Sequence, residues 1–267
     1  MTHLLEDTAY AVDGTGPPVV LVHGMGLSRA MWDWQHAALA ERYTVIRYDL
    51  LGHGESAKRP GPYGMADFVD QLVRLMDALH VGRCGLVGFS LGGLIVRAFT
   101  LAYPGRVAAL AILNSAHDRS DTERAAMRER LALAVERGPG ATIDAALERW
   151  FTADFAARRP DVLDRVRQWM TANDPQVYPE IYRVLAESDA DLATTIAAIE
   201  CPVLVLACSE DHGNSPGMAR RMAALIPNAR AAVVPGLRHM GLAEDPAAIT
   251  RILVPFLQEA LTAGPDR

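Results

Sequence analysis

Lysine is almost missing from this chain. Of 26 basic residues only Lys58 is a lysine, and the rest are arginine. A P-loop lysine is therefore excluded, and a Schiff-base mechanism would have only Lys58 to use. Codon bias in the source genome explains such a skew without invoking function. Cysteine is scarce too. Cys84, Cys201 and Cys208 are odd in number and form no CxxC pair. A disulfide framework or a zinc ribbon is not expected, and the three read as buried, reduced packing residues of a cytoplasmic protein. No stretch approaches ~18 uninterrupted apolar residues, so no membrane span is expected. Met1 to Asp13 carries acids and no long apolar run, which is unlike a secretory signal. Excess basic charge is lacking as well: the net charge is −6, so no nucleic-acid partner is expected. There is no H-E-x-x-H and no complete G-x-G-x-x-G after a strand, so neither a metal nor an organic cofactor is expected.

What is present is a sizeable apolar content: half of the 267 residues are hydrophobic and 22% are charged. That is enough for a packed core and argues against global disorder. Short continuous apolar runs recur at Pro17–His23, Tyr43–Tyr48, Cys84–Gly88, Val107–Asn114, Val203–Cys208 and Ala229–Val234. Continuous rather than alternating runs predict strands covered on both faces. Helical patterns lie between them, at Met65–His80, Leu91–Tyr103 and Pro246–Leu261. The alternation predicts an α/β fold with a mostly parallel open sheet and helices on both faces. Between about Ser115 and Ile199 the alternation stops and only helical patterns appear. Ser120 and Glu123 form a capping box there, and Asn173-Asp174-Pro175 reads as a stop followed by a start with Pro175 at the first helical position. The expected organisation is a core of residues 1–114 and 200–267 with a helical cap at 115–199.

The strongest chemical signal is Gly88-Phe89-Ser90-Leu91-Gly92, placed between a strand and a helix. A serine projecting from a tight strand-to-helix turn needs small flanking residues, and the helix N-terminus behind it favours developing negative charge. A glycine-rich turn with a serine cap is the bland reading. Serine needs a base. His239 follows the last strand, where ligands of open α/β sheets collect. The base needs a carboxylate. Asp211 is the choice, with adjacent Glu210 as fallback, because spacing does not separate them. The order is then Ser90, Asp211, His239. Oxyanion donors are assigned to the backbone N–H groups of Met25, in the His23-Gly24-Met25-Gly26 loop, and of Leu91.

These residues resemble the α/β-hydrolase family over most of the chain, from about Tyr10 to Leu261. The resemblance includes the HG loop, Asp49-Leu50-Leu51-Gly52-His53-Gly54-Glu55-Ser56, the GFSLGG turn, Cys201-Pro202, and the histidine loop with Glu244-Asp245-Pro246. The turn and Arg149–Phe155 look similar to 3-oxoadipate enol-lactonases and related small esterases and lactonases. The resemblance implies a serine hydrolase of small esters or lactones, working through an acyl-enzyme without a cofactor. Carbon–carbon hydrolases of ring-cleavage pathways are the alternative; cofactor-free perhydrolases and non-catalytic ligand receptors stand further back. The expected partner is a small-molecule substrate, with a homodimer left open.

The expected pocket lies between the sheet and the cap. Leu27, Phe89, Trp150, Phe151 and Met240 are the residues taken to touch substrate. Met31, Phe155, Trp169, Tyr178 and Tyr182 are further bulk near it. An acidic substrate would need an arginine, and Arg119, Arg149, Arg158, Arg159 and Arg183 are available; the sequence does not say which point inward.

Overall fold

A computed structural model of the chain describes residues 2–262. Residues 1 and 263–267, the outer ends of the expected core, lie outside the described residues. Eight strands form one sheet: β1 His3–Leu5, β2 Thr8–Asp13, β3 Pro18–Val22, β4 Thr44–Tyr48, β5 Cys84–Phe89, β6 Val107–Leu113, β7 Val203–Cys208 and β8 Ala229–Val234. Their spatial order is β1-β2-β4-β3-β5-β6-β7-β8. From β4 to β8 every neighbouring pair is parallel; β1 and β2 are antiparallel additions at one edge.

The helices are α1 Asp33–Ala40, α2 Met65–Ala78, α3 Leu91–Ala102, α4 Asp121–Arg137, α5 Gly140–Trp150, α6 Ala153–Arg158, α7 Pro160–Thr171, α8 Tyr178–Thr195, α9 Pro216–Leu225, α10 Gly241–Glu244 and α11 Pro246–Thr262. Strand side chains alternate between two apolar layers. Val20, Val22, Leu86, Leu110, Ile112, Val203 and Val205 pack with α2, α3 and α9 on one face. Val19, Leu21, Val87, Ala109, Ala111, Leu204 and Leu206 pack with α1 and α11 on the other. Because both faces are covered, the central strands are apolar at every position, which is why they read as continuous runs.

The edge pair β1–β2 went unforeseen. These strands are short, and β2 carries a mixed burial pattern, so neither shows a continuous apolar run. Between β6 and β7 the chain is helical throughout, with no strand among the described residues. The Ser120 box forms as expected: Ser120 Oγ accepts from the Glu123 amide at 3.3 Å, and the Glu123 carboxylate accepts from the Ser120 amide at 2.7 Å. Pro175 does not open a helix. The Asp174 carboxylate instead accepts from the amides of Gln176 and Val177, building a side-chain-stabilised turn that delays α8 to Tyr178. No helix among the described residues is long and apolar enough to cross a membrane. The three cysteines are free; Cys84 and Cys208 are buried, whereas Cys201 is partly exposed.

Candidate active site

The chain leaves β3 to one side for β4, then crosses back to β5 on the other side. The C-terminal ends of β3 and β5 therefore flank a crevice at the point where strand order reverses, the usual ligand position of an open α/β sheet. The His23–Gly26 loop leaves β3, and Ser90 follows β5.

Ser90 has φ 54° and ψ −113°, a backbone region that residues with a side chain rarely occupy. Its surroundings hold it there. The Ser90 amide donates to Leu113 O at 3.0 Å, and its carbonyl accepts from the Gly93 amide at 3.0 Å and from Ser115 Oγ at 2.8 Å. The flanking glycines are required by close approach. A Cβ on Gly88 would lie 2.3 Å from Gly92 O, and one on Gly92 would lie 2.2 Å from Val22 O. Behind the turn sits Arg97, fully buried on α3. Its guanidinium donates to Gly93 O at 3.0 Å, to Ala116 O at 2.7 Å and to Ser115 Oγ at 3.4 Å.

His239 is 5% exposed and Asp211 is 3% exposed. His239 Nδ1 lies 2.6 Å from Asp211 Oδ2. The other Asp211 oxygen accepts from the amides of Gly213 and Asn214 at 3.1 and 3.0 Å, which fixes the carboxylate. With the Nδ1 hydrogen directed at Asp211, the lone pair is left on Nε2. Glu210 is the more exposed neighbour and approaches Arg238 instead, at 3.9 Å. The imidazole packs between Phe89 and Trp150, with ring centroids 4.8 and 5.6 Å away. Asn114, just past β6, ties this arm down: its Nδ2 donates to His239 O at 2.7 Å and its Oδ1 accepts from the Cys208 amide at 3.1 Å.

The Met25 loop is held by two histidines. His23 Nε2 accepts from the Leu50 amide and His53 Nε2 accepts from the Gly26 amide, both at 2.9 Å. Each ring then donates through Nδ1, His23 to Gly24 O at 2.8 Å and His53 to Leu51 O at 3.1 Å. Both rings are therefore neutral. Burial pushes their pKa values down, to about 4 for His23 and, with the neighbouring His23 adding to the effect, to about 3 for His53. The turn carrying His53 is itself tight. Gly54 has φ +49°, and a Cβ there would fall 2.2 Å from the Asp49 carboxylate, which accepts from the amides of Arg29 and Glu55. The amides of Met25 and Leu91 have no acceptor among the described residues.

One cavity of about 270 Å³ joins these parts. Met25, Ser90, Asp211, His212, Asn214 and His239 line it from the sheet side. Trp150, Met170, Tyr178 and Tyr182 line it from the helices between β6 and β7, together with Arg119, Arg130 and Arg149. Of the residues expected to touch substrate, Trp150 is in this lining. Leu27, Phe89, Phe151 and Met240 are not. They are 2%, 0%, 2% and 0% exposed and belong to the apolar layer beneath it. Proximity in sequence to a reactive residue does not aim a side chain at the cavity; Phe89 points from the strand end into the core and supports the imidazole instead. Phe155 and Trp169 also pack in or against that layer. Arg158, Arg159 and Arg183 are ion-paired with Asp154, Asp161 and Glu180 away from the cavity. The sequence reading missed Arg130, Asn114 and Asn214. Asn214 Nδ2 lies 3.2 Å from His239 Nδ1. Only Asn114 carried a signal, as the polar residue that ends an apolar strand. No group of three or more His, Cys, Asp or Glu among the described residues is arranged to hold a metal.

Residues 17–246 match the α/β-hydrolase fold family. The chain belongs to that family. It is 30% identical over 249 residues to (E)-2-((N-methylformamido)methylene)succinate hydrolase of Acinetobacter baylyi, covering 93% of each chain. It is similar in structure to the enol-lactonase from Burkholderia xenovorans, with a TM-score of 0.89 and 30% identity over 97% of this chain and 100% of the other. A thermophilic esterase from Thermogutta terrifontis superposes with a TM-score of 0.86 at 31% identity, over 95% and 93% of the two chains. The chain is accordingly a hydrolase-family protein related to enol-lactonases.

Two outcomes follow from this geometry. Gly92→Ala forces a Cβ onto a backbone oxygen and should cost at least about 3 kcal/mol. Gly105→Ala, where a Cβ meets nothing within 4 Å, should stay within ~0.5 kcal/mol; urea unfolding of both variants checks this. The neutral His23–His53 pair also sets a pH window. Unfolded histidines bind protons near their ordinary value of 6.5, whereas the folded ones resist until about 4 and about 3. Stability is then full above about pH 6.5 and falls as pH drops toward 4, by up to ~1.4 kcal/mol per pH unit for each histidine. Urea titrations between pH 7.5 and 4.5 should show this fall, with a shallower slope in His53→Gln. A slope unchanged by that substitution would count against the neutral pair.

Proposed function

We propose that the protein is a serine hydrolase cleaving a small carboxylic ester or lactone. The observation that carries this reading is the meeting of Ser90, held in a strained strand-to-helix turn, with the buried His239–Asp211 pair at one cavity. Relatives named as an enol-lactonase and an esterase, at 30% and 31% identity, support the bond type.

In this reading Ser90 Oγ attacks the carbonyl carbon while His239 Nε2 accepts the serine proton. Asp211 holds the productive tautomer and stabilises the imidazolium once formed. The developing oxyanion is met by the amides of Met25 and Leu91, and by the N-terminus of α3 that begins at Leu91. His239 then returns its proton to the departing alkoxide, leaving the acyl group on Ser90. For a lactone the alcohol stays tethered to that acyl group. Water enters, His239 removes its proton, and collapse of the second tetrahedral intermediate frees the acid and restores Ser90. The helices α4–α8 act as a cap that supplies the substrate side of the cavity. Three unpaired cysteines fit a cytoplasmic setting.

Ser90→Ala and His239→Ala should each lower kcat by roughly 10⁴-fold or more, and Asp211→Asn by one to two orders of magnitude less. The melting temperature of Ser90→Ala should stay within a few degrees of wild type or rise, since alanine keeps the fold. The assay is a panel of short and medium p-nitrophenyl esters, an enol-lactone and a vinylogous 1,5-diketone. Cleavage of the diketone alone would assign the protein to carbon–carbon bond hydrolysis. Ester turnover undiminished in Ser90→Ala would defeat the serine mechanism.

A further inference from the structure

The helical wall of the cavity is strongly cationic. Arg119, Arg130 and Arg149 all line it, and none forms an ion pair within 4 Å among the described residues. Of the other arginines of the same helical segment, those at 124, 137, 158, 159, 165, 167 and 183 each have a carboxylate partner, while Arg128 has none within 4 Å among the described residues but is exposed and outside the cavity lining. The three differ in depth. Arg119 is 3% exposed, Arg130 is half-buried and Arg149 is exposed.

Two carboxylates near this wall, Glu123 and Asp189, are each held through one oxygen. Glu123 lines the cavity, but one of its oxygens accepts from both the amide and the hydroxyl of Ser120. Asp189 is buried and accepts from the Arg119 amide at 2.8 Å, and it is shared electrostatically between Arg97 and Arg119. Among the described residues the Arg119 guanidinium donates only to a carbonyl, Leu185 O at 3.2 Å. Burial lowers the pKa of Arg119 and of Arg149, and the charge of Arg130 lowers both further. Like charges converging on a partly desolvated wall raise the energy of the empty site. An anion bound there relieves that repulsion, and guanidinium forks match a carboxylate's two oxygens.

We propose that Arg119, Arg130 and Arg149 form a carboxylate-binding subsite, so that the ester or lactone cleaved at Ser90 is one that carries a free carboxylate. The subsite rests on the reading of Ser90 as nucleophile for its catalytic meaning, though not for its ability to bind an anion. Arg130 and Arg149 make the direct contacts, and Arg119 supplies charge from beneath them. Apolar flanks from Met127, Ala146 and Leu185 would accommodate the carbon chain between the carboxylate and the scissile carbonyl.

The test compares two size-matched methyl esters in a pH-stat, monomethyl glutarate and methyl pentanoate. Wild type should favour monomethyl glutarate by at least tenfold in kcat/KM. Arg130→Gln with Arg149→Gln should reduce that ratio at least tenfold, mainly through KM, and the corresponding pair of lysine substitutions should restore part of it. Arg158→Gln, which breaks an ion pair outside the cavity, should leave the ratio unchanged. Binding is measured separately by titrating glutarate, and neutral glutaramide as control, into the Ser90→Ala protein. Glutarate should bind at least tenfold tighter, and Arg149→Gln alone should weaken it severalfold. Equal binding of glutarate and glutaramide, or a preference untouched by the arginine substitutions, overturns the subsite. Turnover surviving Ser90→Ala overturns the nucleophile instead, so the two readings fail separately.

Discussion

The site depends on one local constraint, the positive φ of Ser90. A serine in that region is strained by roughly 1–3 kcal/mol and persists only where its neighbours leave no alternative. Here they are fully specified. Strand β6 supplies the acceptor for its amide through Leu113, and Ser115 and Gly93 donate to its carbonyl. Gly88 and Gly92 let α3 start against the backbone of β5 and β3 with no side chain between them. Arg97 then cross-links the first turn of α3 to the segment leaving β6. A fully buried guanidinium is a costly component, and its three donations to backbone and hydroxyl oxygens are what make it tolerable. The strain at Ser90 is thus distributed over β3, β5, β6 and α3, all of which lie in the rigid centre of the sheet.

The histidine arm is positioned by different means. Its loop comes from the far side of the sheet, after β8, and must be brought back over the end of β5. Asn114 does this by joining the His239 carbonyl to the Cys208 amide at the end of β7. The Met240 amide donates to Trp150 O at 2.9 Å, which couples the same loop to α5. Glu244 extends that coupling, accepting from the Thr152 amide at 3.1 Å and the Arg238 amide at 3.0 Å. The orientation of the imidazole therefore depends on where the helical segment sits. A displacement of α5 would be felt at His239 through Trp150, by a hydrogen bond and by ring contact together.

These two modes of construction explain what was legible in the sequence. The glycines around Ser90 and in the Asp49–Ser56 turn are steric necessities, and such necessities leave short motifs at fixed spacing. Continuous apolar strands are equally local, so β3 to β8 could be placed from their residues alone. Asn114 and Asn214 act through contacts made across 125 and 25 positions of chain. Asn114 is marked only as the polar residue that ends an apolar strand, and nothing local distinguishes Asn214 from an ordinary loop residue. The same limit applies to Leu27, Phe89, Phe151 and Met240, which lie within two positions of cavity residues yet face the packed layer. Whether a side chain next to a reactive group turns toward ligand or core is set by tertiary packing, and at helix and strand ends one residue of register reverses it.

The charge of the cavity follows from this division of labour. On the sheet side, His23 and His53 are buried and neutral, and Asp211 is fixed by His239 and two amides. That side presents oriented backbone dipoles rather than mobile ions, as the proposed mechanism requires of a surface that meets charge only as it develops. On the helical side, α4 and α5 present the guanidinium groups of Arg130 and Arg149, neither of which is in an ion pair within 4 Å among the described residues. The sheet side is locked by backbone geometry and the helical side by ordinary helix packing, and the two meet at Trp150, whose carbonyl accepts from the Met240 amide and whose ring packs on His239. If the proposed subsite holds, substrate choice belongs to the helical segment, where an arginine at position 130 can be exchanged without touching any element that holds Ser90 in its strained conformation.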